Sequence, residues 1–175
     1  MTDARYPIGK FQRQGAITPQ DRVSLIQQIS EAPAKLRAAI EGLNEQQLAT
    51  PYRDGGWTVR QVVHHLPDSH LNAYIRFKLA LTEGEPVVKT YDESLWAELH
   101  DARHAPVGPS LTLLESLHVR WVLLLQSLKP EDFARTFNHP EHGIMNLDYL
   151  LQLYAWHGRH HISQITSLEA RMGWR

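Results

Sequence analysis

The chain of 175 residues carries a formal net charge of −1, from 18 basic and 19 acidic residues. This balance gives no broad attraction for nucleic acid or for an anionic membrane surface, so neither is expected as a partner. The absence of cysteine excludes a disulfide framework, a thiolate metal site and a cysteine nucleophile. The length suits one domain, and we expect residues 1–175 to form it.

No run in the sequence approaches the roughly 18 consecutive apolar residues of a membrane span. The first residues lack the apolar core of a signal peptide, so we expect a cytoplasmic protein. Residues 1–17 mix proline, glycine, glutamine and arginine without a period. This composition predicts an extended arm that lies over the domain.

A first helix is predicted to begin at the capping residue Thr18, with Pro19 at its first helical position. Apolar residues continue at helical spacing as far as Ile40. Pro33 interrupts this stripe. Because a proline inside a helix removes one backbone hydrogen bond, we expect the helix to bend or divide after Ser30.

Three further long helices and one short helix are predicted, over about residues 57–82, 92–103, 111–128 and 146–172. In the long helices the apolar residues are three and four apart, as helices of a bundle require. No alternation of apolar and polar residues is long enough to build a sheet. The sequence therefore predicts an all-α four-helix bundle with an N-terminal arm and short extra helices.

Two histidines of the fourth long helix are the first candidates for chemistry. His157 and His161 continue the apolar stripe and lie four residues, and therefore one turn, apart on the same face. Imidazoles in an apolar seam need partners for their ring nitrogens, and a divalent metal ion is one such partner. A pair of satisfied core histidines is the alternative, and the spacing alone does not decide between the two.

A third ligand is expected from the second long helix, which holds His64 and His65 in an apolar segment. Either histidine could serve by geometry alone. We favour His65, which shares a helix face with Val62 and Ser69. Three protein ligands leave a coordination position for water or substrate, which is typical of catalytic rather than structural metal sites.

Four stretches of the sequence have a recognisable combination and spacing. They are GWTVRQVVHH at 56–65, NAYIRFK at 72–78, HPEHG at 139–143 and YAWHGRHH at 154–161. Together they resemble the DinB/YfiT-like family, and most closely its YfiT branch. The resemblance extends over residues 6–168 and includes the distances between the stretches.

The resemblance implies an up-down-down-up four-helix bundle, usually dimeric, in a family of metal-dependent hydrolases. It also implies one zinc or nickel ion per subunit, bound by three histidines. By position these correspond to His65, His157 and His161. Pro67 departs from the small helix former expected there, and it should kink the second helix by freeing the carbonyl of Val63.

Other polar residues near these motifs receive lesser roles. His64, His160 and Glu141 are candidates for supporting the metal site from beside it. The remaining histidines of the long segments are assigned to polar faces or helix caps without a function: His70, His100, His104 and His118. Arg76 and Arg159 are possible contacts for an anionic substrate.

The open three-histidine site predicts a metal-dependent hydrolase that activates water against a small-molecule substrate. The fourth helix lacks the glutamate that metalloproteases carry beside their first histidine, so no general base is evident and peptidase activity is disfavoured. One alternative is metal-dependent transfer of an external low-molecular-weight thiol, as in relatives that use bacillithiol. The other is a non-catalytic bundle that contains a structural metal.

Overall fold

The four long segments are helical in the computed structural model, which describes residues 3–174. Within this range the helices are α1 Pro19–Ile40, α2 Glu45–Leu48, α3 Val59–Thr82, α4 Glu93–Ala97, α5 His100–His104, α6 Gly108–Ser127 and α7 Leu147–Met172. A 3₁₀ turn, Asp132–Ala134, precedes the strands β1 Thr136–His139 and β2 Gly143–Asn146. Residues 1, 2 and 175 belong to the predicted arm and domain and lie outside the described residues.

The bundle consists of α1, α3, α6 and α7, and each of these helices packs against two of the others. An ion pair between Arg22 and Asp148, 2.7 Å long, joins the first turns of α1 and α7. Further along both helices, Gly158 of α7 approaches Ala32 of α1. Residue numbers rise together in these pairs, so α1 and α7 are parallel neighbours.

Side-chain pairs also give the directions of the two middle helices. The pairs are His64–Ser110 and His70–His118 between α3 and α6, and His65–His157 and Ser69–Tyr154 between α3 and α7. Residue numbers rise together across α3 and α6, but they run in opposite directions across α3 and α7. The bundle is therefore up-down-down-up, as the family resemblance implied.

Side-chain caps fix where the helices begin. Thr18 and Asp21 form a reciprocal capping box at α1, and Thr58 and Gln61 form another at α3. At α7 the side chain of Asn146 accepts a hydrogen bond from the backbone of the first turn. These caps fix the first residues of α3 and α7, the two helices that carry the clustered histidines.

The apolar interior consists of two clusters that meet at one level of the bundle. The change from one cluster to the other falls within residues 29–32 of α1, 66–73 of α3, 114–117 of α6 and 155–162 of α7. Several buried histidines lie at or beside this level. None of the helices in residues 3–174 combines the length and the apolarity needed to cross a bilayer.

Helix α1 is continuous through Pro33, so the division expected after Ser30 does not occur, and the alternative of a bend stays a prediction. Pro33 has no N–H, and this leaves the carbonyl of Ile29 without its helical partner. The Nδ1 atom of His118 lies 2.7 Å from that carbonyl oxygen and bonds to it. The lost backbone hydrogen bond is therefore replaced from α6. Helix α3 likewise continues through Pro67.

Several short elements differ from the sequence prediction. The helix expected over 92–103 is divided into α4 and α5, and α6 begins at Gly108, slightly earlier than expected. Residues 45–48 form a helix that was not predicted. The expectation of no sheet was wrong, because β1 and β2 pair as an antiparallel hairpin. Strands of four residues are too short to produce a readable alternation.

The predicted arm is present, since residues 3–17 contain no helix or strand and run along α7. The backbone N–H of Gln14 donates to the side chain of Gln152, at 2.9 Å. Near the other end of the arm, the amide of Gln164 donates to the carbonyl of Arg5, at 3.0 Å. Both hydrogen bonds join the arm to α7.

Trp121 is the largest fully buried side chain, and it contacts the rings of Phe77 and Tyr154. We expect Trp121→Ala to lower the free energy of unfolding by roughly 3–5 kcal/mol, because the substitution leaves a large cavity between three helices. Leu123→Ala on the same helix, at a side chain 63% exposed, should change it by less than about 0.5 kcal/mol. Urea unfolding measures both values, and equal losses would contradict the proposed packing.

Candidate metal centre

Three histidine rings converge where α3 meets α7. One ring nitrogen from each of His65, His157 and His161 lies within 4.8 Å of the other two. The Nε2 atoms of His65 and His157 are 3.3 Å apart. Two nitrogens that bind one ion tetrahedrally, at about 2.0–2.1 Å each, are roughly 3.4 Å apart. The donor set and its spacing therefore fit a divalent ion.

The helix geometry explains this convergence. His157 and His161 are one turn apart on α7, and their ring centroids are 4.5 Å apart. His65 lies in the second turn of α3, which runs antiparallel to α7, and its ring is 4.7 Å from that of His161. The structure thus brings together the three residues selected from the sequence. Their role as metal ligands stays a prediction.

His161 is held by Gln164, one turn further along α7. Its Nδ1 lies 2.9 Å from Oε1 of Gln164, and an amide oxygen can only accept, so Nδ1 carries the proton. The neutral ring therefore keeps its Nε2 lone pair for the cluster. The amide nitrogen of Gln164 donates to the carbonyl of Arg5 and to Nε2 of His160, at 3.0 and 3.1 Å. Contacts of this kind orient metal-binding histidines in general.

His157 is held by two further histidines. Its Nδ1 lies 3.2 Å from Nε2 of His70, and Nδ1 of His70 lies 2.8 Å from Nε2 of His118. His70 and His118 are 0% and 2% exposed, so their assignment to polar faces was wrong. A signal was available in the sequence, because His70 falls on the stripe of buried α3 residues that includes Val63 and Phe77.

The cluster is electrically neutral at physiological pH. Burial, with a smaller contribution from the charge of His160, lowers the pKa of His65 to about 4. Burial, followed by the charges of neighbouring histidines, lowers the pKa of His157 and His161 well below the ordinary value. Neutral imidazole is the form that binds a metal ion, so no proton has to be displaced from the cluster at pH 7.

The residues expected to support the site lie at different places. His64 bonds to Ser110 at 2.7 Å and to the carbonyl of Ala105 at 3.1 Å, so it ties α3 to the beginning of α6 instead of contacting the cluster. His160 is buried and linked to His161 through Gln164. Glu141 is exposed in the turn of the hairpin. Any function of these three residues stays a prediction, and sequence reasoning missed Gln164.

A cavity of about 580 Å³ opens beside the cluster. Its wall includes His65, His157 and His161, and also Glu141 of the hairpin turn. The other polar residues of the wall include Arg5, Arg53, Arg76, Tyr6, Tyr91 and Tyr154. The three ring nitrogens are therefore next to a space large enough for a small molecule.

The fold and the site together define a four-helix bundle protein with a three-histidine cluster at a cavity. Residues 28–165 match the DinB superfamily, and the chain belongs to that superfamily. A protein of Bacillus mycoides strain KBAB4, named “Putative metal-dependent hydrolase”, is 56% identical over 174 residues, which cover 99% of this chain and 100% of that protein. A Bacillus cereus ATCC 10987 protein of the same name is 57% identical, with the same coverage.

Solved structures agree with this family membership. YfiT from Bacillus subtilis, described as a “probable metal-dependent hydrolase with an unusual four-helix bundle topology”, superposes with a TM-score of 0.97. It is 50% identical, and the alignment covers 99% of this chain and 100% of YfiT. TT2238, described as a four-helix bundle protein, gives a TM-score of 0.57 at 19% identity, over 85% of this chain and 98% of TT2238. This second likeness concerns the fold alone.

His118 makes the stability of the metal-free protein depend on pH. Burial lowers its pKa to about 4, whereas an unfolded histidine titrates near its ordinary value of 6.5. Between these values only the unfolded chain takes up the proton, so the free energy of unfolding falls as the pH falls. Around pH 5 this contribution is roughly 1.4 kcal/mol per pH unit.

We expect His118→Gln, which cannot titrate in this range, to have a shallower pH dependence by about that amount. Urea unfolding of both metal-free proteins at several values between pH 4.5 and 7 measures the two slopes. The titrating groups that do not contact position 118 are common to the two proteins and cancel in the comparison. Parallel slopes would contradict a neutral buried ring at this position.

Proposed function

We propose that this protein is a metal-dependent hydrolase in which His65, His157 and His161 hold one divalent ion per subunit, zinc or nickel. The observation that carries this proposal is the convergence of three neutral ring nitrogens at a cavity wall. The names of the close relatives support the same activity. A homodimer and a cytoplasmic location stay predictions.

An ion bound there supplies a Lewis acid, which lowers the pKa of a water molecule and polarises a carbonyl or phosphoryl oxygen of the substrate. The chain itself supplies proton donors nearby. Burial raises the pKa of Tyr154, and it raises that of Tyr91 to about 12. Both phenols line the cavity and stay protonated at neutral pH, so each can donate a hydrogen bond to a substrate oxygen.

Arg76 of the cavity wall favours a substrate that carries an anionic group. Arg5, Arg53 and Arg76 line the cavity together with Glu93 and Glu141, and the guanidinium of Arg5 is already paired with Asp3. Arg76 donates one N–H to the carbonyl of Lys89 at 3.3 Å. A guanidinium has further N–H groups, which can bind a carboxylate or phosphate group of the substrate.

One observation favours a second candidate, the metal-dependent transfer of an external thiol. Among residues 3–174 the cluster is made of histidines alone, and no carboxylate joins it as a general base. Thiol chemistry at a metal site needs no such base. The chain has no cysteine, so the thiol would come from outside. A purely structural metal is less well supported, because structural sites usually have four protein ligands.

Metal binding is tested by adding zinc or nickel to the metal-free protein and recording thermal unfolding. At an ion concentration of 100 times Kd, binding should add about 2.7 kcal/mol to stability. His161→Ala should lose most of this gain, because only two ring nitrogens remain. His104→Ala is the matched control, because it disrupts an exposed pair with His100 that also has i, i+4 spacing. Equal gains in the wild type and His161→Ala would overturn the site.

Activity is tested with a panel of carboxylic esters, amides and phosphate monoesters, each with and without an added anionic group. We expect hydrolysis that stops with a chelator, returns with the ion, and decreases by at least about a hundredfold in His161→Ala. A parallel assay adds a low-molecular-weight thiol and an electrophile. Metal-dependent consumption of thiol without any hydrolysis would reject the hydrolase in favour of the transferase.

A further inference from the structure

A line of hydrogen bonds through the bundle interior begins at Pro33. Because this residue has no N–H, the carbonyl oxygen of Ile29 is available to Nδ1 of His118, 2.7 Å away. A carbonyl oxygen can only accept a hydrogen bond, so Nδ1 of His118 carries the proton. In the neutral ring the other nitrogen, Nε2, is then an acceptor.

The protonated nitrogens of His70 and His157 follow in the same way. Nε2 of His118 lies 2.8 Å from Nδ1 of His70, so Nδ1 of His70 is the donor. Nε2 of His70 is therefore an acceptor, and it lies 3.2 Å from Nδ1 of His157. His157 must donate through Nδ1, and its Nε2 lone pair faces the cluster. The direction cannot reverse, because the carbonyl of Ile29 has no proton to give.

The surrounding side chains hold the two middle rings in place. The rings of His70 and His118 are nearly parallel, at 17°, and meet edge to edge, with centroids 4.9 Å apart and the facing nitrogens 2.8 Å apart. Trp121 lies edge-on to both rings at 5.8 Å, and Tyr154 lies edge-on to His70 at 5.1 Å. On α7, Gly158 packs beside His70, where a Cβ atom would be in ordinary van der Waals contact with its Cε1, at 3.6 Å. The rings therefore have little freedom to rotate.

We propose that His118 and His70 are positioning residues that fix His157 with its proton on Nδ1 and its Nε2 free for the ion. The chain of hydrogen bonds joins all four long helices, in the order α1, α6, α3 and α7. The effect on metal affinity rests on the proposed function. The arrangement of protons is independent of it, because it follows from the metal-free geometry.

The first experiment determines which ring nitrogen of each histidine carries the proton in the metal-free wild type. Long-range proton–nitrogen NMR correlations distinguish the two neutral forms of each histidine. We expect Nδ1–H and a bare Nε2 for His118, His70 and His157 at neutral pH. An Nε2–H form of His157 or His70 would overturn the proposal. This measurement needs no variant, so it does not depend on whether an altered protein folds.

The second experiment uses two amides at position 118 that mimic different ring nitrogens. In His118→Gln the side-chain oxygen reaches about the position of Nε2 and can still accept from His70. In His118→Asn the shorter amide can still donate to Ile29 but does not reach His70. We expect zinc and nickel affinity close to wild type for Gln, and a loss of roughly 10- to 100-fold for Asn.

Far-UV circular dichroism and urea unfolding establish that both variants are folded before affinity is measured. The NMR experiment on the Asn variant should show that His157 no longer has a single Nδ1–H form. Equal metal affinity for the wild type and a folded Asn variant would overturn the positioning role. If the wild type binds no ion, the proposed function fails, whereas the proton positions still decide whether the hydrogen-bonded chain exists.

Discussion

A buried imidazole nitrogen without a partner costs free energy, and this cost organises the middle of the bundle. Two of the three clustered rings bond on their Nδ1 side, His157 to His70 and His161 to Gln164. Because each of these rings is neutral, its second nitrogen is left with a lone pair that faces the cluster. The hydrogen bonds on the Nδ1 side of these rings thus determine that their other nitrogens present lone pairs to the cluster.

A layer of polar groups inside a small bundle is costly unless every group is satisfied. Here the layer lies where the two apolar clusters meet, and these clusters contain the large buried side chains of all four long helices. Stability therefore comes from both ends of the bundle, which leaves the middle level for chemistry. Pro33 contributes to this arrangement. It leaves the carbonyl of Ile29 without a helical partner, and that carbonyl accepts a hydrogen bond from Nδ1 of His118.

The predictable parts of the structure were those carried by local sequence. Thr18, Thr58 and Asn146 act within one turn of their helices, and the i, i+4 spacing of His157 and His161 is also local. The hydrogen bonds between His118, His70 and His157 could not be predicted from the sequence. An apolar stripe shows that a side chain is buried, but it does not show which other helix that side chain contacts. The hydrogen bond that replaces the one missing at Pro33 could not be predicted either, because it comes from a residue of α6.

The two candidate ligands on α7 are held by different parts of the chain. His157 is fixed from the bundle interior, whereas His161 is fixed by Gln164, whose amide also bonds to Arg5 in the N-terminal arm. The same stretch of the arm places Tyr6 against His160, with ring centroids 5.7 Å apart, and both Arg5 and Tyr6 line the cavity. A segment without helix or strand therefore completes the cavity wall and, through one amide, orients a ring of the cluster.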